Sequence, residues 1–382
     1  MEVLPNSIST LSLVVTIFFF TSSLSGVFLP IYYKESGLTL LEIVEVLFFT
    51  FLVIGLLPVT LMKIVRNFEA ILTVGIFTTM LFNVVLIYVR NPIILGLFYG
   101  LGIATFWPSF NLLQFRLGEA KVRARTMSLL SVIIPGITGF VGPAVGSLII
   151  TTFGFKALFS SCIVLYLIAL IFSLKIRFVA ETIRFHIPRQ KVFLIFFVSF
   201  ILWGLTESYW IAYPFFVFRV AGTILDMGLI YALSGLLIAG ITFAVSWISD
   251  VKRIRVEFAI LGALCYAAWY FAIANASTVQ QLIAFSLMSG LASAFGLSWF
   301  AYYADIFPRE HYASILVLME VGYMVGRIIN LAPTYILLSS NDYAAYFVLL
   351  GIASLSMIPF FIRSKARARD EQADHNLANV KV

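Results

Sequence analysis

Hydrophobic residues form twelve long runs along the chain, and polar residues are confined to the gaps between them. Each run can cross a hydrocarbon core of about 30 Å, which takes roughly 20 helical residues. The runs are unbroken rather than alternating, which is typical of membrane helices and not of barrel strands. The predicted spans are residues 8–33, 38–62, 68–89, 92–115, 126–152, 154–174, 192–217, 223–248, 257–276, 278–305, 312–338 and 342–362.

Basic residues are concentrated in every second gap between these spans. Of the 25 Lys and Arg residues, 20 fall on one side of the predicted spans and Arg327 lies within a span. Only Lys34, Arg90, Lys156 and Arg219 fall on the other side. A bias of this kind sets the orientation of membrane proteins, with the basic side in the cytoplasm. We therefore expect a multi-pass protein of the cell membrane with both termini in the cytoplasm.

The composition excludes several other classes of protein. Hydrophobic residues make up 62% of the chain and charged residues 11%, whereas a soluble domain carries about 25% charged residues. The net charge of +7 follows the sidedness of the loops, so we expect contact with anionic lipid and no nucleic-acid partner. His186, His311 and His375 form no cluster that could hold a metal, and we expect neither a metal nor a cofactor.

The two halves of the chain are weakly similar to each other. Arg123 and Arg309 each begin an Arg-x4-Ser segment, and a glycine follows each serine at the same distance, at Gly136 and Gly322. Repeated halves of this kind place a shared site at their interface. We predict an all-α integral membrane fold of twelve transmembrane helices in two pseudo-symmetric six-helix bundles. The predicted bounds are 1–175 and 192–363 for the bundles, 176–191 for a cytoplasmic linker and 364–382 for a disordered cytoplasmic tail.

Glycines four residues apart recur in the fifth and eleventh spans, at Gly142/Gly146 and Gly322/Gly326. Small residues at this spacing let helix backbones approach closely where packing holds membrane helices together. We expect close helix packing to be the direct role of these glycines.

Two segments resemble motifs of the major facilitator superfamily. The loop after the eighth span, Ser246–Arg255, is similar to the family's Gly-x-Leu-x-Asp-Arg-x-Gly-Arg-Arg loop. It keeps the acid and the trailing base but not the glycines. The fifth span is similar to the Gly-x3-Gly-Pro-x2-Gly-Gly motif of the family's exporters. The resemblance implies gating loops at Asp250, Arg253, Arg255 and Arg123, and an exporter-like motif at Gly139, Gly142, Pro143 and Gly146.

Two positions depart from the family pattern. The loop after the second span, residues 61–66, lacks the acidic residue, which leaves gating in the N-terminal half without support. Proton-driven drug exporters carry an arginine four residues before a glycine in the fourth span. Here Gly96 takes that place before Gly100, so the sequence does not support proton antiport by that route.

Three ionisable residues, Glu207, Glu320 and Arg327, lie near the centres of the seventh and eleventh spans. A central charge costs about 2.5–3.5 kcal/mol, so each residue needs a partner, water or neutralisation. Glu320 and Arg327 are about 10 Å apart along the helix axis, which we take to be too far for an easy direct ion pair. The seventh and eleventh helices pack together in the family, so we predict that Glu207 pairs with Arg327. A coupling role for these residues and a purely structural pair both stay open.

Aromatic and amide side chains form the candidate substrate site. Trp107, Asn111 and Gln114 share a face of the fourth span. Trp203, Glu207 and Trp210 share a face of the seventh. In the family, helices one, four, seven and ten line the central cavity. A cavity rich in aromatic rings and poor in fixed charge suits an amphipathic or apolar organic solute. The predicted substrate-binding residues are Trp107, Asn111, Gln114, Trp203, Trp210, Trp299 and Tyr302.

The resemblance favours a monomeric secondary transporter that works by alternating access. We expect a small organic solute, a proton or sodium gradient as the driving force, and efflux rather than uptake. The chain has no P-loop motif and hence no ATPase of its own. The alternatives are an uptake symporter for a metabolite or sugar, a non-transporting sensor on the same fold and a polytopic membrane enzyme. The nearest approach to a catalytic cluster is Asp250, Asp305, Glu310 and His311.

Overall fold

The computed structural model of the chain describes residues 5–65, 70–116, 130, 133–176, 185–188, 190–252 and 254–367. Over these residues the chain forms helices joined by short turns and contains no strand. Most of the predicted linker and tail lies outside the described residues, so their bounds stay predictions. The last apolar span does extend to Arg367, which is three residues beyond the predicted start of the tail.

The helices follow the predicted spans closely, and the first ends in a 3₁₀ turn at Gly26–Phe28. The principal helices are α1 (Pro5–Ser25), α2 (Leu29–Glu35), α3 (Leu40–Ile64), α4 (Ile71–Tyr88), α5 (Pro92–Arg116), α6 (Ile134–Ser173), α7 (Lys191–Leu205), α8 (Ala212–Ala221), α9 (Ile224–Lys252), α10 (Arg255–Ile273), α11 (Val279–Ile306), α12 (Tyr312–Ser339) and α13 (Tyr343–Leu355).

Ten stretches of the described chain are long and apolar enough to cross a membrane. One of them, α6, covers both the fifth and the sixth predicted spans, because the chain turns at Gly154 without a loop. Gly154 has φ 83° and ψ 172°, which glycine adopts readily and other residues do not. The seventh predicted span supplies the remaining crossing and is divided into α7 and α8. The described helices therefore account for the twelve predicted crossings.

The helices pack as two bundles with the same internal arrangement. In the first bundle α1 packs on α6, α3 on α5, and α4 on both α5 and α6. In the second bundle α7 packs on α12, α9 on α11, and α10 on both α11 and α13. The bundles meet through two equivalent contacts, α6 with α9 and α12 with α3. The core of each bundle includes fully buried aromatic residues, such as Phe106 in the first and Trp299 in the second.

Glycines at equivalent places allow the close contacts within each bundle. A Cβ on Gly142 of α6 would lie 2.5 Å from the Cβ of Ser23 in α1. A Cβ on Gly326 of α12 would collide with the carbonyl oxygen of Ile201 and lie 2.7 Å from the amide nitrogen of Leu205, both in α7. The expected packing role of these glycines is confirmed, and Gly326 is what lets α12 and α7 touch.

The fifth-span motif also lies at the boundary between the bundles. A Cβ on Gly235 of α9 would lie 2.8 Å from the carbonyl oxygen of Gly139, and one on Gly228 would lie 2.7 Å from that of Pro143. The backbones of α6 and α9 are therefore in direct contact at this motif.

Replacing Gly326 by alanine is expected to destabilise the second bundle, because the added methyl group has no space between α12 and α7. Overpacking of this kind costs about 1–3 kcal/mol. The measurement is thermal unfolding of the purified protein in detergent. Gly240→Ala is the matched control, because a Cβ there meets nothing within 4 Å. Equal unfolding temperatures for the two variants would contradict the packing role of Gly326.

Candidate functional site

The predicted seventh span is interrupted in its middle. α7 ends at Leu205 and α8 begins at Ala212, and the residues between them lie outside any helix. The expectation of one continuous helix with Trp203, Glu207 and Trp210 on a shared face is therefore wrong. Glu207 instead lies in the non-helical segment, where backbone groups need partners from elsewhere.

Local chemistry explains where this helix stops and restarts. The hydroxyl of Thr206 donates to the carbonyl oxygen of Trp203 at 2.7 Å, a local bond that competes with continued helix. Pro214 has no N–H group with which to bond the carbonyl of Trp210 four residues earlier. The helical hydrogen-bond pattern therefore fails between these two positions.

Side chains from other helices bond the carbonyl groups that the break leaves without helical partners. The hydroxyl of Tyr270 in α10 donates to the carbonyl oxygen of Thr206. The amide of Asn330 in α12 donates to the carbonyl oxygen of Glu207 at 3.3 Å. Unpaired backbone groups are costly at membrane depth, so Tyr270 and Asn330 stabilise the break.

Arg327 and Glu207 form a buried, bidentate ion pair. Nε of Arg327 donates to Oε2 of Glu207 at 2.6 Å, and Nη2 donates to Oε1 at 3.0 Å. Each of the two side chains is 9% exposed. The close contact of α7 with α12 at Gly204 and Gly326 brings the two residues together. The structure thus contains the pair that the sequence led us to predict.

Glu320 is the third member of this charged cluster. Nη1 of Arg327 donates to Oε2 of Glu320 at 3.4 Å, and the Glu320 side chain is 13% exposed. The expectation that the two residues are too far apart for an easy direct ion pair is wrong. Side chains on a helix tilt toward its N-terminus, so the long Arg327 side chain reaches back toward Glu320.

Aromatic rings surround the guanidinium group of Arg327. Its central carbon lies 5.1 Å from the ring centroid of Tyr323, 5.5 Å from that of Trp210 and 5.8 Å from that of Phe51. Such contacts between a cation and ring faces are attractive. Trp210 also donates from Nε1 to Oε2 of Glu207 at 2.7 Å. Phe51 belongs to α3, so both bundles contribute to the surroundings of Arg327.

A narrow cleft lies beside the charged cluster, at the boundary between the bundles. It is formed by α3, the break, α12 and α13, and its free space corresponds to about one water molecule. In this conformation the cleft is too small for an organic solute. Residues that line it include Phe51, Glu207, Trp210, Arg327, Asn330 and Thr334.

Comparison with known proteins agrees with this architecture. The family profile of the Major Facilitator Superfamily matches residues 192–381. The chain belongs to this superfamily. The crystal structure of the human organic anion transporter MFSD10 (TETRAN) has the same fold, with a TM-score of 0.68 over 93% of this chain and 98% of that chain, at 12% sequence identity. No curated protein matches the sequence. The chain is therefore a membrane transporter of the superfamily, with a small-molecule substrate.

The transporter's cleft includes three of the predicted site residues, Glu207, Trp210 and Arg327. Trp299 does not belong there. Its side chain is fully buried, its ring stacks on Phe196, and its Nε1 donates to the hydroxyl of Ser199 at 3.0 Å. Trp299 is a core residue of the second bundle, because its hydrogen bond and ring contacts are satisfied inside that bundle.

Four other predicted substrate-binding residues do not line the cleft. Trp203 packs on α11, where a Cβ on Gly296 would lie 2.6 Å from its indole ring. Trp107 of α5 is 36% exposed, and its ring centroid lies 5.5 Å from that of Phe19 in α1. Asn111 and Tyr302 are partly buried and do not line the cleft, and the side chain of Gln114 lies outside the described residues. A substrate-binding role for these residues stays a prediction.

Sequence reasoning missed several residues of the site. Asn330 and Thr334 follow Arg327 by three and seven residues on the same face of α12, a spacing that could have identified them. Phe51 has no polar group and lies in the other bundle, and no sequence signal distinguishes it from the many apolar residues of its span.

One of the four predicted gating residues can be placed in the structure of the transporter. Nε of Arg255 lies 3.5 Å from Oδ2 of Asp305, with side chains 22% and 62% exposed. This pair joins the start of α10 to the end of α11 within one bundle. Arg123, Arg253 and the side chain of Asp250 lie outside the described residues. The gating role of all four residues stays a prediction.

Proposed function

We propose that the protein is a secondary active transporter that exports a small organic solute by alternating access, driven by a proton or sodium gradient. The Glu207–Arg327 ion pair, in a helix break at the boundary between the bundles, is the observation that supports this most directly. Discontinuous helices near the midplane form the substrate and ion sites of many transporters. We also propose that the protein acts as a monomer in the cell membrane, with both termini in the cytoplasm.

Contacts on the proposed outer side join the two bundles in this conformation. α2 packs on α8, and the ammonium group of Lys34 lies 5.9 Å from the ring centroid of Phe215. The ring of Trp210 lies 5.1 Å from that of Phe51, centroid to centroid. The cleft next to these contacts is too small for a solute, so the bundles must move relative to each other before a solute binds. Rocking of one bundle against the other provides this motion.

Glu207 and Glu320 are the candidate groups for coupling to an ion gradient. Glu207 accepts two hydrogen bonds from Arg327 and one from Trp210. Within the described chain, Glu320 accepts one hydrogen bond, from Arg327 at 3.4 Å. Two carboxylates therefore share one guanidinium group. A proton or Na⁺ that neutralises one carboxylate leaves Arg327 to the other, which would rearrange the break.

The fifth-span motif supports export as the direction of transport. The motif resembles that of the family's exporters. Gly139 and Pro143 lie against α9 of the other bundle, where the bundles must slide or rotate. The human protein with the same fold is an organic anion transporter. The charge of the solute transported by this chain does not follow from that name, because proteins that share a fold can have different substrates.

Counterflow in proteoliposomes tests the proposed function. Purified protein is first screened at two pH values for solutes that raise its unfolding temperature, since binding to the native state stabilises it. Vesicles loaded with a stabilising solute are then expected to accumulate the labelled solute transiently without an ion gradient. Lys365→Ala, which alters only an exposed ion pair with Glu257, should exchange equally well.

Two further results would change the assignment. A solute that binds but never exchanges would indicate a sensor or an enzyme on the same fold. Accumulation that follows an inward ion gradient, rather than opposing it, would indicate uptake symport instead of export.

A further inference from the structure

The charges beside the cleft point to the chemical class of the solute. Glu207 and Glu320 bring two carboxylates to this part of the described chain, and Arg327 brings one guanidinium group. We infer that the transported solute is a lipophilic organic cation, such as a quaternary phosphonium or ammonium ion with aromatic or aliphatic substituents. This inference rests on the proposed function and specifies the substrate of the same site.

Arg327 is poorly placed to bind an anion. Each of its three nitrogen atoms already donates to a carboxylate oxygen, Nε and Nη2 to Glu207 and Nη1 to Glu320. The planar fork with which arginine binds an anionic ligand is thus occupied by Glu207. An anionic solute would have to displace one carboxylate and would then be repelled by the other.

The aromatic rings favour a cation in the same place. Trp210 and Phe51 line the cleft, and the ring centroid of Tyr99 lies 6.0 Å from that of Trp210. Ring faces are electron-rich and attract cations, including quaternary ammonium groups that have no hydrogen to donate. These rings now lie against Arg327 or against one another. When the bundles separate, they become available to a solute that is both apolar and positively charged.

Glu320 supplies the negative charge that Arg327 does not balance. Its single contact with Arg327 is the longest in the cluster, and Glu207 holds the guanidinium group by two shorter bonds. A cationic solute beside Glu320 would compensate this excess charge. A proton on Glu320 would do the same, so proton and cation would compete for one carboxylate. Exchange of a cation for a proton follows from this competition.

Tetraphenylphosphonium and tetraphenylborate provide a matched test, because the two ions have nearly the same size and shape and opposite charge. Binding is measured with the purified protein in non-ionic detergent, by isothermal titration calorimetry. We expect tetraphenylphosphonium to bind and tetraphenylborate to bind at least about tenfold more weakly. Non-specific attraction works against this result, because the chain has a net charge of +7. A preference for the cation therefore reports the site and not the whole surface.

Variants of Glu320 connect the preference to the cluster. Glu320→Gln is expected to weaken tetraphenylphosphonium binding by at least about tenfold, and Glu320→Asp, which retains the charge, should keep the preference for the cation. Glu257→Gln makes the same charge change at a side chain that is 51% exposed, and it should leave the affinity unchanged. Unfolding temperatures of all three variants show whether each remains folded.

The possible outcomes separate this inference from the proposed function. Equal or tighter binding of tetraphenylborate, no binding of tetraphenylphosphonium, or full affinity in folded Glu320→Gln would each overturn the cation assignment. If another solute still shows counterflow in those cases, the transport function stands. If tetraphenylphosphonium binds as expected but no cation of this class exchanges across vesicles, the binding site is supported and the transport function fails.

Discussion

Replacing Arg327 by alanine is expected to destabilise the protein by about 3–5 kcal/mol, the cost of breaking a buried ion pair by removing one partner. Glu207 and Glu320 would be left close together without a counter-charge, in side chains only 9% and 13% exposed. The lost contacts with Phe51, Trp210 and Tyr323 add to the effect. The measurement compares the thermal unfolding of the unsubstituted protein and of Arg327→Ala in detergent.

Comparing the double variant Glu207→Gln/Arg327→Ala with Arg327→Ala separates the effect of the unpaired Glu207 charge from the effect of lost packing, because both variants lose the Arg327 side chain. The double variant should recover part of the stability, because only Glu320 then remains without a partner. Lys365→Ala is the control, since it breaks an exposed pair whose side chains are 39% and 51% accessible and such pairs contribute about 0–1 kcal/mol. Equal stability of the double variant and Arg327→Ala would show that an unpaired Glu207 carboxylate is not what destabilises Arg327→Ala.

Glu207→Gln is expected to abolish accumulation driven by an ion gradient while counterflow at saturating solute continues. Glutamine keeps the shape of the side chain, so the break should stay in place through Tyr270 and Asn330. Arg327 would then pair with Glu320 alone, and no carboxylate without a counter-charge would be left for the coupling ion. The experiment compares accumulation with and without a pH gradient in the same proteoliposome preparation.

The matched control for this experiment is Glu257→Gln, which removes an exposed carboxylate of the same bundle and should leave driven accumulation intact. Full driven accumulation in Glu207→Gln would exclude Glu207 from the coupling mechanism. Loss of counterflow as well would show that Glu207 is required for the conformational cycle itself, and the variant would then say nothing specific about coupling.

Hydrophobic runs were sufficient to predict the helices, because lipid requires long apolar helices whose backbone groups are paired internally. The similarity of the two halves and the family resemblance indicated the two bundles. The break in the seventh span was not predicted. Thr206 and Pro214 carry the chemistry of the break, but both also occur inside membrane helices, where neighbouring helices satisfy the freed backbone groups. Only the positions of Tyr270 and Asn330, which come from distant parts of the chain, make the break stable.

The charged cluster was predicted in part. The pairing of Glu207 with Arg327 followed from the cost of a central charge and from the packing of the seventh helix on the eleventh. The contact between Arg327 and Glu320 was missed, because rise along the helix axis measures the distance between backbones and ignores the reach of the side chain. The burial of Trp299 in the core of the second bundle was missed for a related reason. A tryptophan on a cavity-lining helix can face inward to the bundle core, and the sequence does not say which way it faces.

The joint between α7 and α8 is held by side chains of Tyr270 and Asn330 and not by the helix's own backbone ladder. Donors of this kind can be exchanged for water or for another side chain without melting any helical turn. The two segments on either side can therefore tilt independently at the expense of a few hydrogen bonds. A bend in the middle of the membrane would let α7 or α8 move away from the other bundle on one side of the membrane while the other segment stays packed.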